Sequence, residues 1–117
     1  MEFSYKIEEK SDRVVLNIAG NLIEKSQALE MMERIDELSA RHAVNIIIDM
    51  TGFRYMNSTG LNVLIQILTK TRKSGGDAVL CCVPDNIKSL MLITKLNNVF
   101  TIADNEAAAG KVLAKAV

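Results

Sequence analysis

At 117 residues the chain has the size of one domain, and a chain of that size can bury enough surface for a single core without disulfide or metal staples. Its 14 basic and 14 acidic residues cancel and are spread through both halves, which excludes the electrostatic footprint of a nucleic-acid or anionic-membrane binder. The first residues lack the basic-then-apolar pattern of an export signal, and no apolar run approaches the roughly 20 residues that span a bilayer, so no membrane insertion is expected and the expected location is the cytoplasm.

Phe3, Tyr5 and Ile7 alternate with Ser4, Lys6 and Glu8, and Val14 to Ala19 follows a polar break, which predicts two antiparallel strands. Gly20-Asn21 breaks the pattern. Ala28, Met31, Met32, Ile35 and Leu38 then recur at helical spacing, predicting an amphipathic helix over roughly 24–40. Val44 to Ile48 is short, β-branched and almost continuously apolar, as in a strand covered on both faces beside parallel neighbours. Thr51 to Ser58 has no clear period.

From Thr59 the stripe Leu61, Leu64, Ile65 and Leu68 predicts a helix that Lys73-Ser74-Gly75-Gly76 ends. Ala78 to Val83 reads as another buried strand, and Pro84 as the first residue of a helix through Ile87, Leu90, Met91 and Ile93. A brief apolar segment at Val99 to Ile102 and an alanine-rich helix from about Asp104 complete the chain. Strands alternating with helices imply one α/β domain over residues 1–117, a mixed sheet with helices packed against it. Ile46, Ile48, Leu64, Leu68, Val79 and Leu90 are expected to form one core.

Hydrolase chemistry of the serine or cysteine type needs a base beside its nucleophile, and the one histidine, His42, falls in a polar turn. Asn57-Ser58-Thr59-Gly60 lacks the leading glycine of a G-x-S-x-G elbow, and neither a phosphate-binding glycine loop nor a histidine-rich metal cluster occurs. The adjacent Cys81 and Cys82 would point to opposite faces of a strand and match no redox or zinc spacing, so they read as reduced core thiols. No catalytic residue, cofactor or metal is expected.

What stands out is Asp49-Met50-Thr51-Gly52-Phe53-Arg54-Tyr55-Met56-Asn57-Ser58-Thr59-Gly60-Leu61, where small and polar residues open a helix just beyond a buried strand. Sites in open α/β sheets lie at such strand ends. Asn57 or Ser58 can cap the helix. Ser58 also suits a phosphoacceptor, because a phosphate would add negative charge beside the positive end of the helix dipole and alter a docked interface without distorting the domain.

These residues, together with Ala19-Gly20-Asn21-Leu22, Ile46-Ile47-Ile48-Asp49-Met50-Thr51-Gly52, Gly75-Gly76 and Val83-Pro84, resemble the STAS domains, in particular the stand-alone anti-sigma factor antagonists. The resemblance runs through nearly the whole chain in the right order. It implies that Ser58 is phosphorylated by an anti-sigma factor that is also a serine kinase, and that a PP2C-type phosphatase reverses the modification. It also implies that the unphosphorylated form binds the anti-sigma factor and releases a sigma factor, through a surface that includes Asn21, Ile23, Glu24, Met56, Asn57, Thr59 and Gly60. A monomer that forms heterocomplexes is expected. The chain departs from the family pattern at Asn57 and Ile23, where aspartates are common. Two other functions fit the same resemblance: a STAS subunit of a lipid-transport ABC complex, and a constitutive protein-interaction scaffold in which Ser58 only caps a helix.

Overall fold

The computed structural model describes residues 2–41 and 44–115, and the turn expected around His42 lies outside them. Five strands form one sheet in the order β1-β2-β3-β4-β5: β1 (Ser4–Glu9), β2 (Val14–Leu22), β3 (Asn45–Met56), β4 (Asp77–Cys81) and β5 (Thr101–Ala103). β1 runs antiparallel to β2, and every other neighbouring pair is parallel. The helices are α1 (Leu29–Arg41), α2 (Ser58–Lys73), α3 (Asp85–Ile93) and α4 (Glu106–Lys115), with a 3-10 turn over Lys25–Ala28 leading into α1.

The apolar spacing decides how these layers stack. Met31, Ile35 and Leu38 of α1, Leu61, Leu64, Ile67 and Leu68 of α2, and Ile87 and Met91 of α3 bury themselves against Leu16, Ile46, Ile48, Met50 and Leu80 on one face of the sheet. Ala109 and Leu113 of α4 cover Val15, Ile47, Val79 and Cys81 on the other. Of the six expected core residues, Ile46, Ile48, Leu64 and Leu68 share the first core, Leu90 packs against it half-buried, and Val79 belongs to the second. A strand apolar on both faces carries no alternation in its sequence, so nothing in β4 marks which side each residue takes.

Four expected boundaries differ from the structure, each for a local reason. Gly20-Asn21 does not end β2. Gly20 adopts φ +82, and the strand continues to Leu22 through a shift in register, with Asn21 and Leu22 opposite Tyr55 and Met56. β3 likewise continues through the stretch without a period. Between Asn17 and Ala19, and again between Gly20 and Asn21, β3 carries one more residue than β2, and each bulge resets the alternation. The buried positions along its end are therefore Met50, Phe53 and Met56, three apart instead of two.

Pro84 is the cap of α3, not its first helical residue, and its carbonyl accepts from the amides of Ile87 at 3.0 Å and Lys88 at 2.9 Å. β4 ends at Cys81. Cys82 then turns with φ +55, a left-handed conformation that few non-glycine residues adopt. As a result the two thiols do not point to opposite faces: both pack on the α4 side, and their sulfurs lie within 4.8 Å of one another. Burial, reinforced by the nearby Cys82 and Asp49, pushes the Cys81 thiol up to about 12.

Leu64 is fully buried between α2 and the sheet. Leu64→Ala is expected to destabilise the domain by about 2 to 5 kcal/mol in urea unfolding. A loss below about 0.5 kcal/mol, the size of a surface effect, would contradict the packing described.

Candidate functional site

Every helix begins with amides that have no partner within the helix. At α2 the Asn57 side chain supplies one: its Oδ1 accepts from the Gly60 amide at 3.1 Å, while its own carbonyl accepts from Leu61 at 3.0 Å. Asn57 is thus the cap, and Ser58, the first helical residue, does not serve as one. The Ser58 side chain is exposed, with no hydrogen bond among the described residues.

Asn57 also reaches across the chain. Its Nδ2 donates to the Ile23 carbonyl at 3.0 Å, a contact that an aspartate cannot make because a carboxylate has no proton to give. The amide of Ile23 donates to Gln27 Oε1 at 2.9 Å, the amide of Glu24 donates to the same atom at 3.0 Å, and Gln27 Nε2 donates to the Asn21 carbonyl at 3.2 Å. These contacts use the backbone of Ile23 and not its side chain, and they pin the segment Asn21 to Glu24 beside the start of α2. Gly60 seals the junction. A Cβ there would stand 2.4 Å from the Leu22 carbonyl oxygen and 2.8 Å from the Met56 Cβ, so only glycine fits.

The expected interface residues take three positions. Ile23, Glu24 and Ser58 are exposed, Asn21, Asn57 and Thr59 are half-buried, and Met56 and Gly60 are buried, where they shape the floor and present no side-chain tip. A cleft of about 490 Å³ opens beside Ser58 and is lined mainly by carbon, from Tyr55, Leu61, Ile87 and Leu90 with Asn86 and Thr94 at its polar points. Sequence reasoning missed this wall. Tyr55, 53% exposed, lies in the stretch without a period, and α3 reaches the site through Asn86 Nδ2, which donates to the Arg54 carbonyl at 2.9 Å. Leu92 and Ile93 on α3 are also exposed, the latter 80%, although Ile93 was expected on the buried stripe of that helix.

Exposed serine, capped helix and apolar cleft together form a surface suited to docking and modification, with no base placed to activate the hydroxyl among the described residues. The sequence profile of the STAS domain family matches residues 4–109. The chain belongs to the STAS domain family. An anti-sigma-B factor antagonist of Listeria monocytogenes is 28% identical to this STAS domain over 107 residues, covering 91% of this chain and 93% of that one. Among solved structures, an anti-sigma factor antagonist from Mycobacterium paratuberculosis superposes with a TM-score of 0.79 at 16% identity, covering 97% of this chain and 95% of that one. The Bacillus cell fate determinant SpoIIAA in its phosphorylated form superposes with a TM-score of 0.72 at 18% identity, covering 93% and 99%. Among the described residues of this STAS domain, no helix is long and apolar enough to cross a membrane.

Asn57→Asp tests the link between cap and loop. A carboxylate keeps the cap and gains about 0.3 to 1 kcal/mol from the helix dipole. It also leaves the Ile23 carbonyl without its donor and faces it with negative charge, a loss of about 0.5 to 1.5 kcal/mol for the exposed hydrogen bond with the repulsion added to it. The expected outcome is net destabilisation in urea unfolding, with faster hydrogen exchange at the Ile23 and Glu24 amides. A variant as stable as the parent or more so, with unchanged exchange, would show that the loop is held by something else.

Proposed function

We propose that this STAS domain is an anti-sigma factor antagonist that regulates transcription by switching partners, and that phosphorylation of Ser58 throws the switch. The observation that carries this reading is the freedom of the Ser58 hydroxyl: Asn57 caps the helix, so a phosphate on Ser58 disturbs no contact on which the fold depends. The names of the curated relatives support the antagonist role, and the fold shared with phosphorylated SpoIIAA supports the mode of control.

In this reading an anti-sigma factor with serine kinase activity docks over the exposed Ile23 and Glu24, the half-buried Asn21, Asn57 and Thr59, and the apolar cleft wall that Tyr55 begins, with Met56 and Gly60 as the floor. The kinase transfers the terminal phosphoryl group of its nucleoside triphosphate to the Ser58 oxygen, releasing the diphosphate and the hydroxyl proton, and a PP2C-type phosphatase hydrolyses the ester with water to give back the serine and inorganic phosphate. The phosphate adds roughly −1.5 to −2 charges at the positive end of α2, where the fold tolerates them, and in the middle of the docked surface, where the partner does not. The protein itself binds and is acted on, and catalysis belongs to its partners. It works in the cytoplasm, as a monomer between complexes.

Calorimetric titration against the candidate anti-sigma kinase checks this reading with four forms: unmodified, Ser58→Ala, Ser58→Asp and enzymatically phosphorylated. Since Ser58 is not the cap, Ser58→Ala is expected to change stability by less than about 0.5 kcal/mol and to bind like the parent. The aspartate and phosphorylated forms are expected to bind at least about 30-fold more weakly, as follows from about 2 kcal/mol for an unmatched interfacial charge. Equal affinities for all four would remove the switch and favour a constitutive scaffold or a stable transport subunit.

A further inference from the structure

We infer that Asp49, Cys81 and Cys82 form a zinc-binding site on the face of the sheet that α4 covers, opposite the face that carries α2. One carboxylate oxygen and the two sulfurs lie within 4.8 Å of one another. On a shared tetrahedral ion the same atoms stand about 3.5 to 4 Å apart, given Zn–S bonds of about 2.3 Å and Zn–O bonds of about 2.1 Å. Small side-chain rotations close that difference.

Three independent features build the cluster. Asp49 and Cys81 are register partners on adjacent parallel strands, so their side chains leave the sheet on the same side. The left-handed turn at Cys82 brings its thiol back to that side, where a continuing strand would have sent it to the other. Thr51 holds the carboxylate in place: its amide donates to Asp49 Oδ1 at 2.9 Å and its hydroxyl donates to the same oxygen at 2.6 Å, the kind of outer contact that orients a metal ligand.

The donor set selects the ion. Two sulfurs discriminate against magnesium and calcium, which prefer oxygen throughout, and a carboxylate beside them favours zinc over copper(I). Cys82 and Asp49 are half-buried, so the ion has a route in from solvent and a fourth position open to water. Glu106, at the start of α4, adds negative charge near Cys81 while it pairs with Lys10 at 3.2 Å. As each Zn–S bond forms, the S–H bond breaks and its proton leaves to the buffer. No electron is transferred.

The test uses the whole chain carrying His42→Ala, so that its one imidazole contributes nothing, kept reduced with a phosphine. Zinc affinity is measured by competition with a chromophoric chelator, and cobalt(II) serves as the spectroscopic probe. The expected result is one zinc ion per chain and a sulfur-to-cobalt charge-transfer band. Cys82→Ser and Asp49→Asn are each expected to keep the parent's circular dichroism and weaken zinc by at least about 10-fold, since even outer-contact losses reach that size. Thr51→Val, which removes only the outer hydroxyl, is expected to weaken it about 10-fold. Absence of a one-to-one complex with the folded protein, or affinities unchanged in Cys82→Ser and Asp49→Asn, would overturn the assignment.

Discussion

A helix that starts at the edge of a sheet must find partners for its first amides, and the group that provides one decides which neighbouring side chains remain free. Here that group is the Asn57 carboxamide. Its oxygen holds the Gly60 amide of α2, and its nitrogen holds the Ile23 carbonyl 34 residues earlier in the chain, so one side chain sets both the helix start and the loop beside it. Because this duty falls on Asn57, Ser58 is left with an exposed hydroxyl that stabilises nothing. The proposed switch depends on that division of labour.

The same link gives a physical meaning to the asparagine at position 57. Where the family commonly carries aspartates, this chain has Asn57 and Ile23. An asparagine can donate to a backbone carbonyl, and the Ile23 amide and carbonyl are committed to Gln27 and Asn57 while its side chain stays exposed. A loop held in this way presents an apolar side chain, 42% exposed, beside Ser58, with Tyr55 also open to solvent. Such a surface suits a partner that buries carbon and penalises a new charge.

Much of the fold was legible wherever one period ran unbroken. The stripe of α2, the β-branched run at Val44 to Ile48 and the Lys73 to Gly76 stop signal each corresponded to an observed element or boundary. Legibility failed where tertiary contacts override local pattern. Two bulges replaced alternation in the second half of β3 with a spacing of three, which hid Tyr55 as a site residue and Met56 as buried floor. The sides taken by Val79 and Cys82 were hidden as well, the first because β4 is apolar on both faces and the second because a positive φ reverses an expected direction. Ser58 was singled out by the small and polar residues that open a helix beyond a buried strand, and then by the motif that resembles the family's. The hydrogen bond from Asn57 to Ile23 spans too much chain for any local pattern to signal it.

The account's central claim is that Ser58 can be phosphorylated without any change to the domain beneath it. The direct measurement is a residue-by-residue comparison of backbone amide NMR shifts between the unmodified and enzymatically phosphorylated protein. The account predicts changes confined to the start of α2, the segment Asn21 to Glu24 and the cleft wall, with the amides of β2 before Asn21, of β4 and of α1 unmoved. Shift changes spread through the sheet, or a phosphate found on another residue, would contradict it.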